Sequence, residues 1–253
     1  MRDRIVIAAS VIALILASWL LFAADEVASP CATQSFEGDA FTVCRYRAGD
    51  DVKLVWADGQ GGALRSFERL AASGVIDPKR VRFAMNAGMY DDVGAPIGLF
   101  VANGREEHAL NRKTGSGNFH MQPNGVFFID VSGRAQILTT ADFASAAPSA
   151  ELATQSGPML VVGGAINAAF SQDGPSRNVR NGVGICSGGT LFAISEGKVS
   201  FGKFARFFRD ALGCGDALYL DGSVSSLWVP IIGRRDDNYA LGPMIVISER
   251  AKP

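Results

Sequence analysis

The chain has almost no excess of either charge: Lys and Arg number 24 and Asp and Glu 25 in 253 residues. A nucleic-acid-binding surface normally shows a basic surplus, so this balance argues against nucleic acid as a partner. Histidine is scarce, with His108 and His120 the two present. Neither belongs to a recognisable partner motif for a serine or cysteine nucleophile. No C-x-x-C occurs, which leaves little basis for a redox pair or a zinc site. Other signatures are missing as well. There is no G-K-[ST] phosphate loop, no serine stands in G-x-S-x-G, and GSGNFH (Gly115 to His120) lacks the third glycine of a dinucleotide loop.

What is present describes a well-filled, turn-rich chain. Hydrophobic residues make up 48%, enough for a well-formed core, and the length suits one large domain or two small ones. The 29 glycines are scattered rather than periodic, which suggests a β-containing enzyme or binding domain and not a collagen-like or low-complexity chain. The N-terminus is a separate object. After the basic start MRDR, the run Ile5 to Ala24 carries no charge; as a helix it is roughly 30 Å long, the thickness of a bilayer core. A cleaved signal has a core of about 7–15 residues and an A-x-A-like site. Phe22-Ala23-Ala24 is a poor version of that site, so an uncleaved anchor is favoured over a cleaved signal for residues 1–24. Either way Arg2 and Arg4 keep the N-terminus inside and the remainder is exported, to the periplasm or to the periplasmic side of the inner membrane. Pro30 before Cys31 speaks against a lipoprotein. Contact with the membrane is expected through this N-terminal segment alone.

Export changes the reading of Cys31, Cys44, Cys186 and Cys214: outside the cytoplasm an even number favours disulfides. Three pairings are possible. The local one, Cys31–Cys44 with Cys186–Cys214, closes the shortest loops and is the expectation here.

Residues 25–39 read as a linker and residues 40–253 as a single domain. Strand-like runs are AFTVCRY, VKLVWA, VRFAMN, PIGLFVA, NGVFFIDV, AQILTT, GPMLVV, GVGICS, TLFAIS, ALYLDG and PMIVIS. Two stretches have helical spacing: ALRSFERLAASG, with Gly74 as its C-cap, and GKFARFFRDALG (Gly202 to Gly213), whose phenylalanines read as core packing. Many strands with few helices imply an α+β fold, a single domain on a large mixed or antiparallel sheet with a few packed helices.

Five strand ends carry polar residues together with glycine: MNAGMYDD, QPNGVF, TQSGPML, SRNVRNGVG and LDGSVSS. Taken singly, Asn-Gly and Ser-Gly are hairpin turns. Five of them, three with Asn86, Gln155 or Asp221 straight after an apolar run, suggest backbone that a ligand approaches closely. In SRNVRNGVG, Arg177 and Arg180 lie three apart beside Asn178 and Asn181, a group able to grip a phosphate or carboxylate through forked hydrogen bonds. The bland alternative is a pair of solvated loop arginines.

In this order the five stretches resemble the phosphodiester glycosidase family, over roughly Val81 to Ser248. One departure stands in LDGSVSS, where many relatives read D-G-G-G-S-S and Val224 replaces a glycine. The resemblance implies hydrolysis of a sugar-1-phosphodiester at the C1–O bond. It further implies Asp221 as general base or nucleophile, and Arg177 and Arg180 as phosphate ligands. Asn86, Asn124, Gln155 and Ser225 are then candidates for sugar hydroxyls or water, with Gly88, Ser156, Gly157, Asn181 and Gly222 completing the substrate-binding set. Glycosidases usually use two carboxylates, and Asp91, Asp92 and Glu196 are the weak candidates for the second. No cofactor is implied beyond a hint of a divalent cation at Asp91 or Asp92. The competing class is a non-catalytic envelope module binding polysaccharide or a phosphodiester-linked glycan; the presence of the acid and both arginines favours the enzyme.

Overall fold

The computed structural model describes residues 29–250, so the expected anchor or signal over residues 1–24 lies outside the described residues. Among those described, no helix is long and apolar enough to cross a membrane. The strands are β1 (Cys31–Phe36), β2 (Asp39–Arg45), β3 (Asp51–Val55), β4 (Val81–Asn86), β5 (Phe100–Ala102), β6 (Arg105–His108), β7 (Gly125–Asp130), β8 (Ala135–Thr139) and β9 (Ala150–Ser156). They continue as β10 (Met159–Val162), β11 (Ala165–Ile166), β12 (Asn181–Cys186), β13 (Gly189–Ser195), β14 (Cys214–Tyr219), β15 (Leu227–Val229), β16 (Arg234–Arg235) and β17 (Met244–Ser248).

They form three antiparallel sheets rather than one: seven strands in the order β1-β2-β13-β12-β14-β10-β11, five in the order β16-β15-β4-β17-β3, and five in the order β6-β5-β9-β7-β8. With a few short helices, this is the expected α+β domain. A common core lies where the sheets meet. Phe192 of β13 places its ring 5.6 Å from Phe83 of β4 and 5.6 Å from Phe127 of β7, so one side chain touches a strand of each neighbouring sheet. Burying such a ring contributes about 1.5–3 kcal/mol.

The two expected helices are present and shorter than their patterns. Ser66 caps the first, Phe67–Ala72, by accepting from Arg69 N, and Gly74 follows at φ +76. The second, Phe201–Arg206, is capped by Ser200 and passes into a wider π turn over Phe207–Ala211. Its phenylalanines are core, as expected: Phe207 stacks on Phe41 at 4.0 Å.

Two differences from the sequence reading have simple causes. The linker expected over residues 25–39 contains β1, an edge strand with four exposed residues that registers Cys31 opposite Cys44. Its polar side chains hide it. The strand β9 was missed because ELATQS is mostly polar and its apolar stretch is only Leu152-Ala153, yet it is the centre of its sheet. Its Thr154, Gln155 and Ser156 are all buried.

The disulfides join Cys31 to Cys44 and Cys186 to Cys214, the local pairing, and each links residues directly opposite in neighbouring strands. They are the chemistry of an oxidising, extracytoplasmic compartment. The second bridge locks one end of the β12–β14 pair, whose other end delivers Asn181 and Asp221. Replacing Cys186 and Cys214 together with alanine is therefore expected to cost about 2–4 kcal/mol of stability. Thermal melting of the double variant against the parent checks this; an unchanged melting temperature contradicts it.

Candidate active site

Two sheets contribute strand ends to one polar knot. Asn86 closes β4, Asn181 opens β12, and the chain leaving β14 reaches Asp221. The Asn86 amide donates to the Asp221 carbonyl at 2.7 Å. Its Oδ1 accepts from Asn181 Nδ2 at 3.0 Å and from Ser226 N at 2.9 Å. Asn181 Nδ2 also reaches the Asn86 carbonyl at 2.9 Å, and its own Oδ1 accepts from Ser225 Oγ at 3.2 Å. The main chain of Asp221 is fixed from the other side, its N–H donating to Ala87 O at 3.1 Å. All of these side chains except Asp221 are buried and satisfied within the protein.

Asp221 begins a short 3₁₀ turn, Gly222–Val224, and its Oδ1 accepts from Ser223 N at 3.2 Å. Loss of hydration on burial outweighs that single backbone donor and pushes the Asp221 carboxyl up from 3.8 to about 6. It faces a pocket of about 440 Å³ whose wall also includes Arg65, Tyr90, Asp91, Asp92 and Asn118. A narrower groove of about 210 Å³ runs on from Asn118 and is floored by Phe170 and Phe201, stacked at 5.0 Å. Val224, the departure noted in the sequence, lines the larger pocket beside Asp221. Tyr90 is held by a hydrogen bond from its hydroxyl to Ala240 O. Burial and the Asp221 charge raise its phenol, and Arg65 acts in the opposite sense.

Several residues expected to touch substrate are turned to other work. Gln155 is saturated: Oε1 accepts from Leu99 N and Asn111 N, both at 2.9 Å, and Nε2 donates to Asn111 O and Thr140 Oγ1. Asn124, also buried, donates to Phe119 O at 2.9 Å and accepts from Gln122. Gly88 makes room for strand β9, since a β-carbon there would strike Gln155 O and Thr154 Oγ1, and Gly157 likewise packs on Asn124. Ser156 is fully buried with its hydroxyl unpartnered. Nothing in the structure explains that. Gly222 lies directly on the Tyr219 hydroxyl, which any β-carbon would strike; the small residue after Asp221 serves the fold beneath it.

The arginine fork is not formed. Arg177 is exposed and paired with Asp173 at 2.6 Å. Arg180 is fully buried and points the other way. Its guanidinium lies 3.5 Å over the Phe201 ring and donates to Val199 O, Ser176 O and Tyr219 Oη. Tyr219, fully enclosed, is pushed up to about 12 by burial. Of the second-acid candidates, Glu196 is bound to Arg234 and Thr42, both at 2.6 Å, outside the pocket. Asp91 and Asp92 do line it. Asp91 uses Oδ1 to accept from Val93 N and Ala95 N. Among the described residues no three His, Cys, Asp or Glu side chains cluster so as to hold a metal ion. The pocket residues that sequence reasoning missed include Arg65, Tyr90 and Asn118. Tyr90 stood inside MNAGMYDD without a role; Arg65 belongs to no motif.

The raised carboxyl has a consequence for stability. The folded protein binds the Asp221 proton more tightly than the unfolded chain does. Its stabilising contribution is thus complete below pH 3.8 and lost as pH rises through about 6. At neutral pH the buried charge costs about 3 kcal/mol at most, taking 1.36 kcal/mol per unit. Asp221→Asn retains the acceptor for Ser223 N and removes the charge, so it is expected to melt higher than the parent at pH 7.5 and equally at pH 4. Thermal melting at the two pH values checks this; a lower melting point at pH 7.5 contradicts it.

The phosphodiester glycosidase family profile matches residues 79–247, which spans β4 to β17 and includes every strand of the knot. The Escherichia coli (strain K12) protein YigE, described as uncharacterized, is 36% identical over 179 residues, 70% of this chain and 69% of that protein. The catalytic domain of zebrafish N-acetylglucosamine-1-phosphodiester alpha-N-acetylglucosaminidase, solved auto-inhibited by its pro-peptide, shares the fold. Its TM-score is 0.60 at 16% identity, covering 87% of this chain and 82% of that one. A hypothetical protein from Synechocystis has a TM-score of 0.56 at 15% identity, covering 87% of this chain and 61% of its own. With the family profile covering most of the domain, the chain belongs to the phosphodiester glycosidase family.

Proposed function

We propose that the protein is a hydrolase that cleaves a sugar-1-phosphodiester at the C1–O bond, releasing a free sugar and a phosphomonoester. The observation that carries this reading is the position of Asp221: a desolvated carboxylate with a pKa of about 6 at a strand end, held from behind by Asn86 and open to a pocket in front. Membership of the family and the shared fold with the zebrafish glycosidase support it.

The chemistry asks little of a second acid. Water adds to C1 while the C1–O bond breaks, and the bonding electrons leave on a phosphate oxygen that is already a weak base. An alcohol leaving group needs a proton donor; a phosphate leaves without one. What remains is to strengthen the nucleophile and to stabilise positive charge on the sugar ring. Ionised Asp221 suits both tasks. It accepts the proton of the attacking water, or bonds to C1 itself before water displaces it, and its negative charge lies beside the developing oxocarbenium ion. Above pH 6 it is ionised, and desolvation keeps it more basic than an ordinary aspartate.

Asn86, Asn181 and Ser225 position Asp221 and do not contact substrate in this reading. Asn118, where the two cavities meet, is available to a sugar hydroxyl, and the Phe170–Phe201 groove to an apolar part of the substrate. The two disulfides support a site of action outside the cytoplasm, with residues 1–24 read as its anchor or signal.

Turnover of a cleavable sugar-1-phosphodiester by the purified domain tests the proposal. The parent's kcat/KM is expected to rise with pH along a limb near 6, and Asp221→Asn to lose a factor of about 100 or more in rate. Parent-like turnover in a folded Asp221→Asn protein contradicts the assignment of the acid. Binding without turnover in the parent would instead identify a glycan-binding module.

A further inference from the structure

We propose that Arg65 is the phosphate-holding cation of this pocket, the part assigned on sequence grounds to Arg177 and Arg180; the proposal rests on the pocket being a phosphodiester site. Arg65 precedes residues 79–247, the stretch matched to the family, so no family motif supplies it.

The backbone at Arg65 is strained. Ser66 N donates to Leu64 O at 2.9 Å, closing a three-residue turn with Arg65 at its centre at φ +64. Long side chains rarely occupy that left-handed region, and turns of this kind are uncommon. Such a conformation survives where neighbours fix it, and it concentrates at ligand sites. Here it is fixed on both sides. Leu241 N donates to Arg65 O at 2.8 Å, and Ser66 is committed to capping the helix that follows.

The guanidinium is just as constrained, and it lacks a counter-charge. It lies 5.2 Å from the centre of the Tyr90 ring. The loop over Asp91–Ala95 folds across it, and Gly94, at φ +94, lies against Arg65 Nη1 with no room for a β-carbon unless that side chain shifts. That nitrogen is buried with no hydrogen-bond partner. Eight of the fifteen other arginines among the described residues pair with an acid, among them Arg82 with Asp50, Arg177 with Asp173 and Arg234 with Asp236. No ion pair among the described residues involves Arg65, although Asp91, Asp92 and Asp221 line the same cavity. Nη1 itself is sealed beneath Gly94, but Arg65 as a whole is half-buried and lines the cavity, so an anion entering there meets a cation that no acid has neutralised.

Phosphate supplies the counter-charge that Arg65 lacks. A guanidinium binds phosphoryl oxygens through directed N–H bonds, and the Tyr90 face keeps this one from rotating. Because Arg65 and Asp221 share the cavity without pairing, an anion on Arg65 leaves its adjoining sugar carbon on the Asp221 side. Arg65 thereby selects substrates with a negative phosphodiester over neutral glycosides.

Binding of inorganic phosphate, measured by calorimetry on the disulfide-bonded domain, tests this without relying on turnover. The probe is expected to bind the parent, to weaken about tenfold or more in Arg65→Gln, and to recover only in part in Arg65→Lys, which keeps the charge but not the fork. Arg65→Gly relaxes the left-handed turn, so it is expected to melt no lower than the parent while binding as poorly as Arg65→Gln. Asp221→Asn should bind phosphate at least as tightly as the parent. Parental affinity in both Arg65→Gln and Arg65→Gly, or a parent that does not bind phosphate, overturns the proposal. Phosphate binding that depends on Arg65 in a protein without turnover would leave it standing and overturn only the catalytic reading.

Discussion

Everything at the site depends on one amide. Asn86 donates to the Asp221 carbonyl and accepts from both Asn181 and Ser226, which ties a strand of one sheet to a strand of another and to the loop between them. An aspartate there would lose the donor and bury a charge; an alanine would take this partner from the Asp221 carbonyl and Ser226 N and leave Asn181 Nδ2 with the Asn86 carbonyl alone. The knot uses up the amides and hydroxyls around Asp221 and leaves its carboxylate with one backbone donor, from Ser223. The raised basicity of Asp221 follows from that economy. The fold satisfies its neighbours and leaves the acid poorly solvated.

Beneath the loop, the buried Arg180 plays a supporting part. A cation with no carboxylate beside it is tolerated because it spans three elements through carbonyls and a phenol, and lies on the face of Phe201. It braces Tyr219, and Tyr219 in turn supports Gly222, the residue after the acid. The arginine that lines the pocket is Arg65. The two arginines thus divide labour that a sequence motif had assigned to neighbours three residues apart.

How much was legible follows from the same physics. Apolar runs that bury both faces, such as VRFAMN and GVFFID, announce strands, and the local cysteine pairing follows from loop length. Strand partners do not: alternation gives a face, not a neighbour, so three sheets could not be told from one. Asp221 was legible because an acid ending an apolar strand is conspicuous. Gln155 and Asn124 looked like ligand groups because each is a polar residue in a strand-end cluster with glycine, yet they are internal fasteners, and only the three-dimensional count of their partners reveals it. Arg65 carried no signal. Its role arises from a loop distant in sequence closing over it, and from the absence of an acid partner, neither of which local spacing encodes.

The central claim is that burial, enforced by the Asn86 knot, makes Asp221 an unusually basic aspartate. The direct measurement is an NMR pH titration of its side-chain carboxyl carbon in ¹³C-labelled protein, the resonance being identified by its loss in Asp221→Asn. The account predicts a midpoint of about 6. A midpoint near the ordinary 3.8 would contradict it, leaving Asp221 a solvated turn residue.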